Sequence, residues 1–311
     1  MTPSPGPSAG PPGRAALLAL ALVLAGCAAE PTRRPRVVPA DHNGEFTTWW
    51  SDEIVKEHGT YEAGQRNGEI EVFHKEGGRH YTGEFVAGKP EGTLTTWHED
   101  GTLASVAEYK EGVLDGSHMS YAAGTGDLIE SAEYRMGRRH GQLQQWRAGG
   151  APTLEAHFED DLPVGRWRHW DPIGRLVREE RYWVVGGEPA GRLETMFASN
   201  GEVSVQTLLT RHGDEWSGWQ TTWHDNGRQA SLVELLDGRT HGRDAAWDRT
   251  GRLVSEGRRA EGKRVGRWTF FGERGEVSRT EYYEAGELVP EPTAPGAPSG
   301  DGGPGAGQGE D

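Results

Sequence analysis

The sequence predicts an all-β fold, an elongated single-layer antiparallel sheet of about ten consecutive β-hairpins. Three observations carry this. Glycines recur at Gly44, Gly68, Gly92, Gly116, Gly141, Gly165, Gly191, Gly218, Gly242 and Gly266, spaced 24, 24, 24, 25, 24, 26, 27, 24 and 24 residues. A period of this size marks a one-dimensional array whose units bury their apolar faces against their neighbours. Five residues after each glycine stands a ring (Trp49, Phe73, Trp97, Tyr121, Trp146, Trp170, Trp223, Trp247, Phe271), with Met196 the one exception. Asn-Gly and Asp-Gly pairs lie at unit starts (Asn43-Gly44, Asn67-Gly68, Asp115-Gly116) and near unit middles (Asp100-Gly101, Asn200-Gly201, Asn226-Gly227). Such pairs accept the positive φ of tight hairpin turns, so a turn is expected at each.

In chain order, residues 1–26 read as a secretory signal. Arg14 precedes a ten-residue apolar run, Ala15 to Leu24, too short to cross a bilayer of about 30 Å as a helix and suited to an h-region. The run ends in Leu24-Ala25-Gly26-Cys27, which resembles the lipobox of bacterial lipoproteins. The resemblance implies that residues 1–26 are removed and that Cys27 is diacylated and becomes the mature N-terminus. With Ala28 rather than aspartate next, it further implies an anchor in the outer membrane of a Gram-negative bacterium. The n-region departs from that pattern in its prolines (Pro3, Pro5, Pro7, Pro11, Pro12) and single positive charge.

Cys27 is the only cysteine, so no intramolecular disulfide and no cysteine-rich metal site can form. Residues 27–42 hold Pro31, Pro35 and Pro39 with Arg33, Arg34 and Arg36 and read as an extended tether unable to pack. Residues 43–289 are the array. Two strands per unit give about twenty strands, on the order of 90 Å end to end at about 4.8 Å per strand. Residues 290–311 contain five prolines, seven glycines and no Lys or Arg, and read as a disordered acidic tail.

Within the array the rings at the fifth position form a ladder, joined on the second strands by Tyr61, Phe85, Tyr109, Tyr134, Phe158, Tyr182 and Tyr283. Large rings bury about 150 to 250 Å² each, so the ladder is expected to be core. The apolar residue two after the glycine (Phe46, Ile70, Leu94, Leu143, Leu193) has the opposite parity to the ring at five. Either a bulge intervenes or both faces are partly covered.

Units such as Gly92-Thr-Leu-Thr-Thr-Trp97-His-Glu-Asp-Gly101-Thr-Leu103 through Gly112 resemble MORN-repeat-variant units. The resemblance spans Gly44 to about Leu288. It implies a twisted sheet of successive hairpins, a scaffolding or binding role, and the antitoxin-like label often attached to bacterial members; it supplies no catalytic residues. Departures lie at Met196 and Leu209, at Arg259 in place of a second ring, and at Asp161 in place of a glycine. The units starting at Gly191 and Gly242 are therefore expected to pack less well.

A net charge of −15, one unit more negative without Arg14, repels phosphate backbones and anionic headgroups and argues against nucleic acid. His74, His98 and His224 each follow a ladder ring. Equivalent positions lie roughly 10 Å apart, too far for one metal ion at bonds of about 2 Å. No nucleophile elbow, phosphate loop or HExxH occurs. The acidic groups Glu159, Asp160, Asp161 and Glu179, Glu180 lack the pocket that tunes a catalytic carboxyl. No enzyme activity, cofactor or metal is expected.

The period lengthens in the units starting at Gly165 and Gly191, where added loop is expected at Val185 to Pro189 and at His212 to Trp216. Insertions in arrays map to one edge, often the binding side. Trp183, Glu188, Trp216 and Trp219 are the candidate partner-binding residues, set against the tryptophans' alternative role in local packing. The function expected is a lipid-anchored, non-enzymatic binding scaffold of the cell envelope. It would contact the membrane through its lipid and recognise a protein first, a glycan second. An antitoxin-like or immunity protein and a cell-wall or polysaccharide binder are the alternatives.

Overall fold

The computed structural model describes residues 34–292; the expected signal peptide, Cys27 and nearly all of the tail lie outside them. The first strands are β1 Gly44–Trp49, β2 Val55–Glu62, β3 Gln65–Phe73, β4 Arg79–Val86, β5 Lys89–Trp97, β6 Leu103–Lys110 and β7 Val113–Tyr121. There follow β8 Leu128–Arg135, β9 Arg138–Trp146, β10 Pro152–Glu159, β11 Leu162–Trp170, β12 Leu176–Val185, β13 Glu188–Phe197 and β14 Val203–His212. The last are β15 Glu215–Trp223, β16 Gln229–Leu236, β17 Arg239–Trp247, β18 Leu253–Ala260, β19 Lys263–Phe271, β20 Val277–Glu284 and β21 Glu287–Val289. Each strand pairs antiparallel with the one before and the one after, giving one open, single-layer sheet of 21 strands.

Two kinds of turn alternate. One edge carries two-residue turns such as Ala63-Gly64 and Glu111-Gly112, with positive φ at both residues. The other edge carries connections of five or six residues, in which mid-unit glycines such as Gly101, Gly201 and Gly227 take the left-handed position. The glycines at unit starts do not form the expected turns. Gly68 and Gly116 sit inside β3 and β7 with φ of 117° and 127°. There the register slips by two residues: Tyr61 pairs with Arg66, but Gly59 with Ile70. Glycine is favoured at this bulge by its φ, and at Gly116, though not at Gly92, by space as well. At Gly116 an added Cβ would sit 1.9 Å from Glu108 Oε2, an oxygen that accepts the Ser117 N–H at 3.0 Å. The Asn and Asp before these glycines serve the neighbouring hairpin instead. Asn43, Asn67 and Asp115 Oδ1 accept the amides of the left-handed residues Ala63, Ala87 and Met136 at 3.0, 3.3 and 3.1 Å.

A second, one-residue slip falls immediately before the ring at the fifth position, as between Thr48 and Trp49 or Thr96 and Trp97. It accompanies a division of labour between the faces. On one face a paired row runs Phe46, Gly59, Ile70, Gly83, Leu94, Ala107. Large side chains of first strands lie over small residues of second strands: a Cβ on Gly59 would meet Ile70 Cδ1 at 2.5 Å, and one on Gly83 would meet Leu94 Cδ1 at 2.7 Å. Ile70, Tyr61, Phe85, Phe158 and Trp268 are buried here, so this face holds the core.

The fifth-position ladder lies on the other face, half-buried, beside Gln206 at Trp223 and beside Thr269 and Glu256 at Phe271. That corrects the expectation of a stacked core. Ladder positions recur only every second strand, about 9.6 Å apart, beyond the 4.5–7 Å of ring stacking. Close ring pairs form on the core face instead: Phe158 with Trp167 at 4.9 Å, and Trp167 with Tyr182 at 5.2 Å.

Three further expectations change. The ladder does not break at Met196, which is 44% exposed. Phe197 occupies the slipped position opposite Val203, as Trp97 does opposite Leu103, because the longer unit shifts the ring by one residue. The unit starting at Gly242 is not loose, since Arg259 pairs with the buried Asp244 and lies 5.7 Å over Trp268. The end of the tether also packs. Trp49 N–H donates to Pro35 O at 3.0 Å, Arg36 Nη1 to Trp49 O at 3.0 Å, Arg34 covers the Trp49 ring at 3.8 Å, and Val38 joins the Tyr61–Ile70 cluster. The segment bends at Arg36-Val37 and turns at Ala40-Asp41, closed by His42 N–H to Pro39 O at 3.1 Å, as it passes the edge of β1.

Candidate functional site

The regular pattern is interrupted at β12 to β15. The extra residues of these units lengthen strands rather than loops, so the expected insertions are paired: Val185 with Glu188, His212 with Glu215, Arg211 with Trp216. The turns remain two residues long, at Gly186-Gly187 and Gly213-Asp214. The wide bulge narrows to a one-residue slip at Trp183/Val184 and vanishes between β14 and β15, and Gly191 and Gly218 no longer take positive φ. Elsewhere a turn residue donates its N–H to the segment one hairpin back: the second residue at most turns, as Gly64 to His42 O at 2.9 Å, Gly112 to Pro90 O at 3.0 Å and Gly262 to Thr240 O at 2.8 Å, and the first at Asp237-Gly238. Among the described residues Gly187 and Asp214 make no such bond.

A cavity of about 260 Å³ opens on this stretch, lined by Pro163, Tyr182, Trp183, Pro189, Gly191, Arg192, Leu209 and Trp216. Its origin is readable from register. Leu209 stands where other second strands place a ring, opposite Arg192, which is itself opposite Tyr182. The smaller side chain leaves space that the neighbours do not close. Trp183 folds over Gly191, where an added Cβ would lie 2.0 Å from its Cζ2. Trp216 is held from the next hairpin, its N–H donating to Asp237 Oδ1 at 2.9 Å and its carbonyl accepting Asp237 N–H at 2.7 Å.

The structure thus brings Trp183 and Trp216 into one cavity. Glu188 stands at its exposed rim, ion-paired with Arg211 at 3.3 Å. Trp219 does not belong to the group: it pairs with Leu208 and Glu234, one residue out of phase with Gly218, and so points to the other face. Cys27 lies outside the described residues. Sequence reasoning missed Tyr182, Arg192 and Leu209. The signal for them was the lost second ring at Leu209, coinciding with the lengthened units.

Beneath the cavity the core row turns polar, running Glu180, Glu194, Thr207, Gln220. Glu180 is buried and accepts from Tyr182 Oη at 3.1 Å, with His169 Nε2 at 2.9 Å. Burial opposes its ionisation, but the His169 bond and the Arg178 charge outweigh burial and hold its carboxyl below the ordinary range. Burial, then the Glu180 charge, pushes the Tyr182 phenol up. The cavity therefore presents neutral aromatic and aliphatic surface with one cation, Arg192. That composition suits capture of an apolar, rigid segment. Glu179 and Glu180, adjacent in sequence, fall on opposite faces, opposite Arg168 and Trp167 respectively. His74, His98 and His224 bond the carbonyls of Trp97, Tyr121 and Trp247 at 3.0, 2.9 and 2.9 Å, tying each unit to the next.

Comparison with known proteins returns no matching family model and no matching curated protein. Among solved structures, a chain of a TcdB2–TccC3–TEV crystal structure is 10% identical, with a TM-score of 0.21, over 79% of this chain and 14% of that one. A chain of a TcdB2–TccC3 structure is 9% identical, with a TM-score of 0.18, over 78% and 15%. This chain spans about one seventh of those chains, and likeness at this level carries no argument about it.

Proposed function

We propose that the chain is a lipid-anchored, non-enzymatic binding scaffold of the cell envelope, built from MORN-like hairpins and recognising a protein partner. The lipobox-like Leu24-Ala25-Gly26-Cys27 motivates the anchor. One observation carries the binding role. Aromatic side chains freed from regular packing gather in a single cavity, between Trp183 and Trp216, where the otherwise uniform array is interrupted. Large rings at the centre of a concave, desolvated patch are the usual anchors of a protein interface.

A photo-cross-linking residue at Glu188 is expected to capture a partner in intact membranes, and Trp216→Ala to abolish the adduct while the sheet's circular dichroism is unchanged. An adduct of equal yield in the variant removes the assignment. For the anchor, Cys27→Ser is expected to leave the protein soluble and unlabelled by palmitate; continued labelling removes that part.

A further inference from the structure

The cavity's walls are unusual for this sheet: Tyr182, Trp183 and Trp216, edged by Pro163 and Pro189. Flat rings spaced by prolines form the kind of groove that accepts a polyproline II helix, whose low conformational entropy favours docking. The chain itself carries a fitting ligand beyond β21. Pro292, Pro295 and Pro298 recur at every third residue, with only Thr293, Ala294, Gly296 and Ala297 between them. In a polyproline II helix, with three residues per turn, prolines at this spacing would share one edge, with only small side chains between them. Pro292 to Pro298 itself carries no charge, and the residues beyond it, Asp301, Glu310 and Asp311 with no Lys or Arg, are opposite in sign to Arg192.

The motif cannot reach the cavity of its own chain. Its point of exit is fixed near β20, where Tyr282 Oη donates to Glu291 at 2.8 Å. From β21 to β15 there are six interstrand steps, about 29 Å, while Pro298 lies six residues past Pro292, at most about 20 Å away when extended. We infer that the cavity receives the Pro292–Pro298 segment of a second copy of this chain. Reciprocal exchange fills both cavities and gives a closed, two-fold dimer. This inference rests on the cavity being the docking site proposed above.

Sedimentation velocity on the full chain tests it, together with titration of a peptide spanning residues 290–304. The expected result is a reversible dimer that the peptide dissociates. It should weaken at least tenfold in Trp216→Ala and in the triple variant Pro292→Ala, Pro295→Ala, Pro298→Ala, whose changes follow the last strand in sequence. A monomer at the highest soluble concentration, a dimer indifferent to the triple variant, or equal binding of a scrambled peptide overturns it. Loss of the Glu188 membrane adduct in Trp216→Ala beside a tail-independent oligomer would sink this inference alone. A tail-dependent dimer without any Trp216-dependent adduct would sink only the envelope partner.

Discussion

At the residue scale, small side chains decide where large ones rest. Gly257 has an ordinary backbone φ, yet an added Cβ would lie 2.3 Å from Trp268 Cδ2, and Trp268 is 1% exposed. Gly257→Ala must displace that ring, and overpacking of this kind costs about 2 kcal/mol. Equilibrium denaturation followed by tryptophan fluorescence is expected to show the loss, and an unchanged midpoint would refute the packing described. Glu57 offers a test by pH. Burial opposes its ionisation, but hydrogen bonds from Arg66 Nε at 2.6 Å and Tyr61 Oη at 2.8 Å prevail and lower its pKa below the ordinary 4.5. The unfolded chain then binds the proton more readily than the folded one. The stabilisation is full above the unfolded pKa and drains away as pH falls below about 4.5 through the folded value. Glu57→Gln should flatten the acid limb of the urea midpoint below about pH 5; an unchanged limb would assign that sensitivity to other carboxylates.

At the element scale, hairpins are joined twice at the two-residue-turn edge: by the turn amide to the preceding carbonyl, and by side chains such as Asn43 and Asp115. The turns at Gly186-Gly187 and Gly213-Asp214 lack the first bond among the described residues. Hydrogen exchange is therefore expected to be at least tenfold faster at Val184–Glu188 and Arg211–Glu215 than at Ala63–Gln65, since protection follows local hydrogen bonding. Equal rates would mean that strand length alone protects these tips. The unit period and the presence of hairpins were legible because glycine and ring recur in phase. Which face forms the core was not. Alternation put Ile70 and Phe73 on opposite faces, as found, because the residue skipped before the ring, His80, lies on the second strand, but it did not say that the face of Ile70 would be the buried one. The lengthened units drew attention to Trp183 and Trp216, which line one cavity, whereas Trp219, three residues from Trp216, lies across the sheet. Leu209 and Arg259 looked alike as lost rings. One leaves a cavity, and the other is replaced by an ion pair with Asp244.

At the scale of the whole molecule, twenty interstrand steps set a length of about 95 Å, and a rod of that length has a radius of gyration of about 27 Å. A compact body of the same 259 described residues would have about 18 Å. Small-angle scattering is expected near or above the larger value, which terminal segments only raise; a value near 18 Å would contradict the extended sheet. With a single layer and no second sheet above it among the described residues, stability accrues through neighbours, so a defect acts on adjacent hairpins before it acts on distant ones.

The turn amides also give the array a direction in time. Gly88, Gly112 and Gly137 each donate to a carbonyl of the hairpin made before them, never to one made after, and Gly64 donates to His42 ahead of β1. A chain that emerges amino-end first therefore meets the acceptor of each such turn amide already in position. The packed segment at Arg34 to His42 is then the first template laid down, and each hairpin, once closed, becomes the mould for its successor.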